Sequence, residues 1–597
     1  MTNPLEIYQQ QISKLSDELT TLQKRKSLFG WLRFITLIVA FIAVWKLWSL
    51  GLFIALTVFF SLIGLFLFLL SKDLSNNSAI ENVNRLIKIN ETEIEVLNHH
   101  FIHLPAGTQF KPETHEYAND LDIFGRASLY QYINRTNSEQ GNTLFADWLL
   151  HPASQEIIIQ RQAAIKELTD EIKWRQQLQS HGLATPITIA TQQKIENWLQ
   201  QPNTFLNNPY WKVLKYLLPA ISFGFLILHI TDILPSSAFY PLILIMLSLS
   251  FIISKLVMPA YFQLNKIAPQ LDSLSDSIGW IEKKEFKSTL LSQLKNKYKT
   301  GSTTSSQSIR KLKKILDLLD IRLNPLVFIP LNTFLFWDLQ QIFTLEKWKT
   351  AHKQNIGDWF HALAAFESLS SLANLYFNHP GNSFPVLSSQ QGIFSADELG
   401  HPLIPKEKLV SNSFSTEGIN QMNLITGSNM AGKSTFLRSV GVNIVLSMMG
   451  SSVFAKSLTL SPMKVLSSMR VSDNLEESTS TFYAELKKLK EVIDAVYKNE
   501  KVFLLLDEIL RGTNSADRHT GSRALIKQLI HHNAAGLIAT HDLELAKLSD
   551  EFPNSIHNYH FDVQVANDEL YFDYKLKRGI CRSMNASLLM KKIGIEL

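Results

Sequence analysis

Met422-Asn-Leu-Ile-Thr426-Gly427-Ser428-Asn429-Met430-Ala431-Gly432-Lys433-Ser434-Thr435 decides how the C-terminal part of this chain folds. A short apolar, β-branched run enters a loop of the form GxxxxGK[ST], and helical spacing resumes after Thr435. Strand, glycine-rich loop and helix in that order open a parallel α/β unit and define a phosphate-binding loop. Glycines let successive backbone N–H groups turn toward phosphate oxygens, and the following helix adds the positive end of its dipole. In such a loop Lys433 sets a cation against the β- and γ-phosphates, and Ser434 offers a hydroxyl to Mg2+. The expected ligands are therefore ATP and Mg2+, with residues 427–435 as the nucleotide-binding segment.

Two further stretches fit the same unit. Val502-Phe-Leu-Leu-Leu-Asp507-Glu508 reads as a buried strand with carboxylates at its C-terminal edge, where ligands bind in open α/β sheets. Asp507 is expected to hold Mg2+, and Glu508 to orient or deprotonate the attacking water. Gly536-Leu-Ile-Ala-Thr540-His541 is a third buried strand, ending in a histidine placed to contact the γ-phosphate or that water. Lys433, Glu508 and His541 are the expected catalytic groups.

Upstream, the composition changes. Apolar residues make up 46% of the 597-residue chain, and they concentrate in four stretches at 31–48, 52–70, 216–234 and 238–258. Each approaches the ~20 residues that cross a bilayer, and each pair is separated by a short uncharged connection, so they read as two transmembrane hairpins. Lys24, Arg25 and Lys26 precede the first, and Lys255, Lys266, Lys283 and Lys284 lie in or after the fourth. This bias predicts a multi-pass protein of the inner (cytoplasmic) membrane with its large soluble regions in the cytoplasm. A single cysteine, Cys581, excludes an intramolecular disulfide and any cysteine-cluster metal site. The net charge of +5 allows nucleic acid or anionic lipid as partner and requires neither.

Helical periodicity dominates the remainder. Residues 296–314 (NKYKTGSTTSSQSIRKLKK) are polar, basic and serine-rich, and read as a flexible linker running into a helix. The division expected is 1–27, an N-terminal cytoplasmic helix; 28–71, the first hairpin; 72–212, a helical core; 213–258, the second hairpin; 259–395, a helical lever and return to the core; and 396–597, the α/β ATPase domain. The fold class is thus α plus α/β.

The loop, carboxylate strand and terminal histidine resemble ABC-type ATPases, and the details resemble the MutS branch. TGSNMAGKST at 426–435 is similar to the MutS loop TGPNMGGKST. Ser480-Thr481-Phe482 with Glu485 resembles its STFxxE signature, DEILRGTNSAD at 507–517 its DEIGRGTSTxD, and ATHDLELA at 539–546 its ATHxxEL. HPLI at 401–404 resembles the opening of the MutS ATPase domain. Residues 134–152 with 161–168 resemble its core, and ALAAFESLSSLANL at 362–375 the helix returning from its lever. The resemblance implies that Asn429 contacts phosphate, that Ser480 reaches the nucleotide of a second subunit, and that Asp517 sits at the dimer interface. It thereby implies a homodimer. DNA, as a partner in mismatch repair, enters only through this resemblance. Ser428, Ala431 and Leu510 stand where the family has proline, glycine and glycine. Only about 27 residues precede the first apolar stretch, too few for a mismatch-reading domain, so the chain reads as a membrane-spanning branch without one. The competing readings are an ABC transporter-like ATPase, which lacks its LSGGQ signature here, and a membrane-task ATPase with no DNA role.

Overall fold

Helix-favouring polar residues lead without a break into the first apolar stretch, so residues 4–47 form one helix, α1 (Pro4–Leu47), opened by the Asn3 side chain accepting from Leu5 N. The computed structural model describes residues 3–48, 51–300, 303–428, 430–469, 481–566 and 569–581. A second long helix, α2 (Leu52–Leu97), returns antiparallel along α1. The limits expected at 27/28 and 71/72 therefore fall inside continuous helices. Away from the α1–α2 seam the apolar ends face outward, with Phe53 85% exposed.

The opposite end of this pair is rooted in polar contacts. Tyr8 is fully buried, and its hydroxyl donates to Asn378 Oδ1 at 2.7 Å. Glu93 accepts from Arg135 Nε at 2.6 Å and from Asn378 Nδ2 at 2.8 Å. Burial raises the Glu93 carboxyl, but the Arg135 charge and its hydrogen bond outweigh that and hold it below the ordinary value.

The helical body contains α3 (Glu139–Leu150), α4 (Pro209–Ile230), α5 (Ser236–Leu264), α6 (Ser305–Leu319), α7 (Pro325–Leu335), α8 (Trp337–His352) and α9 (Ile356–Asn378). Among the described residues α1, α2, α4 and α5 are long and apolar enough to cross a membrane. The flexible linker expected at 296–314 is not what forms. Lys299–Thr300 pairs with Thr303–Thr304 as a two-stranded ladder, and α6 starts at once with its serines buried. Ser305 Oγ donates to Tyr298 O at 2.6 Å, and Ser306 bonds the Glu282 carboxylate through both its N–H and its hydroxyl. These serines cap and pack the start of a helix, whereas their composition alone resembles a solvated tether.

Helix α9 packs on α3. Its Glu367 is buried and accepts from Ser138 N at 3.2 Å and Ser138 Oγ at 2.5 Å, at the N-cap of α3. Burial without a cation pushes this carboxyl up to about 7. A raised carboxyl binds its proton more tightly folded than unfolded, so stability falls as pH rises from the ordinary carboxylate range through 7. Glu367→Gln removes that loss. Its melting temperature should exceed that of the parent at pH 8 by an amount that shrinks toward zero near pH 5. The ceiling on the effect is about 3 kcal/mol, and thermal unfolding monitored across that pH range checks it.

The C-terminal domain is built on a six-stranded sheet among the described residues. Its strands are β1 (Gln421–Thr426), β2 (Lys464–Ser468), β3 (Val502–Asp507), β4 (Ala535–Thr540), β5 (Ile556–Ala566) and β6 (Glu569–Arg578), in the order β6-β5-β1-β4-β3-β2. All pairings are parallel except β5 with β6. Helices α10 (Lys433–Met448), α11 (Thr481–Tyr497) and α12 (Ser515–His531) belong to the same domain. The near-continuous apolar runs of β3 and β4 follow from burial on both faces.

This domain is clamped to the helical body. Arg161 stacks on Trp148 at 3.6 Å, and its Nη1 donates to Met449 O at 3.0 Å, just past the end of α10. Asp120 accepts from Ser467 Oγ at 2.7 Å and from Lys488 Nζ at 3.0 Å, so residues of β2 and α11 share one buried carboxylate.

Candidate functional site

β1, β4 and β3 lie side by side in register, Thr426 beside Thr540 and Ala539 beside Asp507. Their C-terminal ends therefore release the loop after Thr426, His541 and the Asp507-Glu508 pair at one edge of the sheet.

The loop's shape depends on two glycines. Gly427 has φ +143°, and a Cβ there would lie 2.8 Å from Phe561 O. Gly432 has φ +103° and leaves room for the Tyr574 ring, whose Cδ1 would stand 3.2 Å from a Cβ. Gly432 is also the N-cap of α10, with no side chain covering the first-turn N–H groups, which leaves them as anion donors. Met430 and Thr435 are exposed, Ala431 is buried, and Ala431 N turns back to Ser428 O at 3.2 Å. Asn429 lies outside the described residues, as does Ser480.

Lys433 is buried, and its Nζ donates to Gly427 O at 2.6 Å and Ser428 O at 3.0 Å, 3.4 Å from His541 Nδ1. Burial lowers its pKa, only partly offset by the Glu508 and Asp507 charges. Ser434 Oγ donates to Asp507 Oδ2 at 2.5 Å. The Asp507 carboxyl is raised, mainly by burial, against the pull of Ser434 and Arg511. Its Oδ1 is buried and accepts no hydrogen bond. Arg511 Nη2 stands 3.7 Å from that oxygen, and the Ser434 hydroxyl and this carboxylate, beside a phosphate loop, are hard oxygen donors suited to Mg2+. Asp507→Asn should raise the Mg2+ concentration required for half-maximal nucleotide hydrolysis about tenfold or more, which a Mg2+ titration reads directly.

Glu508 is bonded by His541 Nε2 and paired with Arg511 Nε at 3.0 Å. Burial raises this carboxyl, yet the His541 hydrogen bond and the Arg511 charge together hold it below the usual carboxylate value. Glu508 and Leu510 both adopt left-handed backbone, φ +52° and +62°. A leucine costs energy there where glycine would not. The Leu510 side chain recovers part of that cost by packing in a buried cluster, into space left open by Gly521. Glu485, buried on α11, accepts from Leu510 N and from Arg511 N and so pins the turn.

Two of these groups carry no expected role in the sequence reading. Arg511 bonds the backbone oxygens of Asp507 and Glu508 as well as the Glu508 carboxylate. Its signal was its place within the DEILRGTNSAD stretch, to which no role was attached. Glu485 was visible as part of a motif, but its partner lies 25 residues away. Asp517 is not drawn into the cluster. It is exposed in the first turn of α12, bonded to Asn514 through both its N–H and its carboxylate. A cavity of about 360 Å³, lined among others by Glu508, Arg511, Arg518, His541 and Asp542, opens beside the carboxylates.

The arrangement pairs a cation-bearing glycine loop with a buried hard-donor carboxylate and an ionised carboxylate held by histidine. That set suits phosphoryl transfer to water. Residues 423–591 match the family model of MutS domain V. The MutS protein homolog 4 of Homo sapiens is 32% identical over 205 residues, 32% of this chain and 22% of that protein. The DNA mismatch repair protein MutS of Finegoldia magna is 34% identical over 195 residues, 32% of this chain and 22% of that protein. That of Protochlamydia amoebophila is 32% identical over 238 residues, 38% and 27%. The chain thus spans about a fifth to a quarter of the length of the curated relatives it matches. The match and the geometry fall on the same residues, and together they support a MutS-like assignment of the C-terminal domain.

Proposed function

We propose that this protein is a membrane-anchored, MutS-like ATPase in which ATP binding and hydrolysis switch a homodimer between two states. The observation that carries the proposal is the meeting of the 427–435 loop, Asp507, Glu508 and His541 at one sheet edge. In this reading the loop N–H groups and Lys433 hold the triphosphate. Ser434 and Asp507 would hold Mg2+, which would supply positive charge against the charge that develops on the phosphates. Glu508 accepts the proton of the attacking water, and His541 keeps that carboxylate aimed. Ser480 and Asp517 act across the dimer, which makes each site composite. In the same reading the α1–α2 and α4–α5 pairs span the inner membrane, and the basic residues flanking them favour a cytoplasmic ATPase domain.

DNA, mismatched or branched, is the proposed partner because of what the matched relatives are named for. The test is binding of the detergent-solubilised dimer to homoduplex, mismatched and branched DNA over a salt series. Preference for one form that survives added salt supports the DNA role. Equal, weak, salt-sensitive binding to all three removes it. The two apolar helix pairs favour a second reading, a membrane-task or transporter-like ATPase without DNA. Stimulation of ATP turnover by a solute in liposomes, and not by DNA, would select it.

A further inference from the structure

We infer that α7 is a re-entrant membrane element, a short helix that enters the lipid beside α4 and α5 and returns to the same side. This rests on the proposed reading of α4 and α5 as membrane spans.

Four observations carry it. Residues 324–337 (NPLVFIPLNTFLFW) hold no charged side chain, and Leu326, exposed at 87%, stands with Val327 and Ile329 on an outward face that is apolar after the exposed N-cap Asn324 at its start. The segment is bent by 111° from α6, whose own buried face belongs to the helical body. Its inner face packs on both proposed spans: the Phe334 ring lies 5.9 Å from Phe223, near the middle of α4, and Phe328 lies 6.4 Å from Phe251 on α5. The two ends of the segment are joined at one level. Arg322 Nη2 meets Asp338 Oδ1 at 3.0 Å, both side chains nearly buried, after Phe336 reverses the chain at φ +49°.

An 11-residue helix is about 16 Å long, near half of a ~30 Å hydrocarbon core, so a helix of this length cannot cross and must return. Inside lipid every polar group needs a protein partner. Asn332 meets that condition. It donates to Ser254 Oγ at 3.0 Å and accepts from Asp338 N at 3.2 Å, while Thr333 Oγ1 donates to Ile329 O at 2.7 Å. Beyond Asn324 at its start, the exposed face presents only side chains that acyl chains solvate better than water.

The experiment uses the full-length chain with Cys581→Ser, reconstituted in liposomes. Single cysteines are introduced at Leu326 and Ile329 on α7, at Leu244 and Ile252 on the exposed face of α5, and at Ile159 on the helical body. Each is labelled with a small fluorophore and quenched by iodide in water or by nitroxide-bearing acyl chains in the bilayer. The expected result is that Leu326→Cys and Ile329→Cys follow the α5 positions, several-fold more quenched by lipid and less by iodide than Ile159→Cys. Iodide quenching of both α7 positions alongside lipid quenching of the α5 positions overturns the re-entrant helix and leaves the spans standing. Iodide quenching at α5 as well overturns both.

Discussion

Glu508→Gln should bind ATP nearly as the parent does and hydrolyse it about 10²–10⁴-fold more slowly, the range for loss of a positioned general base. The amide keeps the carboxylate's size and can still take a hydrogen bond from Arg511, but it cannot accept a proton from water. The effect belongs in kcat, because Glu508 sits beside His541 and Arg511 and takes no part in the loop. Single-turnover hydrolysis with nucleotide binding measured in parallel separates the two quantities. The lowered Glu508 carboxyl adds a second expectation. Its base form persists as pH falls through the neutral range, so the acid limb of the parent's rate profile should begin below the ordinary carboxylate value and not near 7. Equal losses in binding and turnover would remove Glu508 from the role of base.

Lys433→Ala should fail one step earlier. Its ammonium is the cation nearest the loop, buried beside Asp507 and Glu508. Truncation leaves those two carboxylates facing a triphosphate with one cation fewer, Arg511 remaining beside them. Loss of one partner from a buried, hydrogen-bonded charge pair costs about 2–5 kcal/mol, a factor of roughly 30 to 5,000 in Kd. ATP titration by calorimetry checks this. Any nucleotide-dependent dimer change should vanish in Lys433→Ala and persist in Glu508→Gln. The pair therefore distinguishes a switch thrown by binding from one thrown by hydrolysis.

What the sequence disclosed about the site follows from chemistry. A phosphate cradle restricts residue type at nearly every position, so residues 427–435 are legible alone, and apolar strands reveal which sheet edge carries Asp507 and His541. The strands β2, β5 and β6 were missed for different reasons: β2 is short, ends in serines and finds its partner β3 far along the chain, whereas β5 and β6 form a local hairpin, Ala566 beside Glu569, whose apolar positions are interleaved with histidine, aspartate and lysine. Glu485 was hidden because its partners, Leu510 N and Arg511 N, meet it only once α11 folds against the turn after β3. The serines of residues 303–308 misled in the other direction. Their hydroxyls bond Tyr298 O, seven residues back, and Glu282, 24 residues back, and no local pattern announces the second partner. Membrane-length helices were plain from hydropathy, but α7 is too short for that measure and shows itself only through what it touches.

One further consequence follows from α1 being unbroken. Its Tyr8 is fixed to the end of α9, and its first large apolar outward residue of the hydrophobic stretch is Trp31. The helix between them spans about 35 Å at roughly 1.5 Å per residue. With the outer part in lipid, as proposed, that stretch works as a stilt. It sets the distance between bilayer and the Asn378 anchor, and any pivoting of the helical body there would reach the membrane as a tilt of a stiff rod, to which bilayer thickness can answer back.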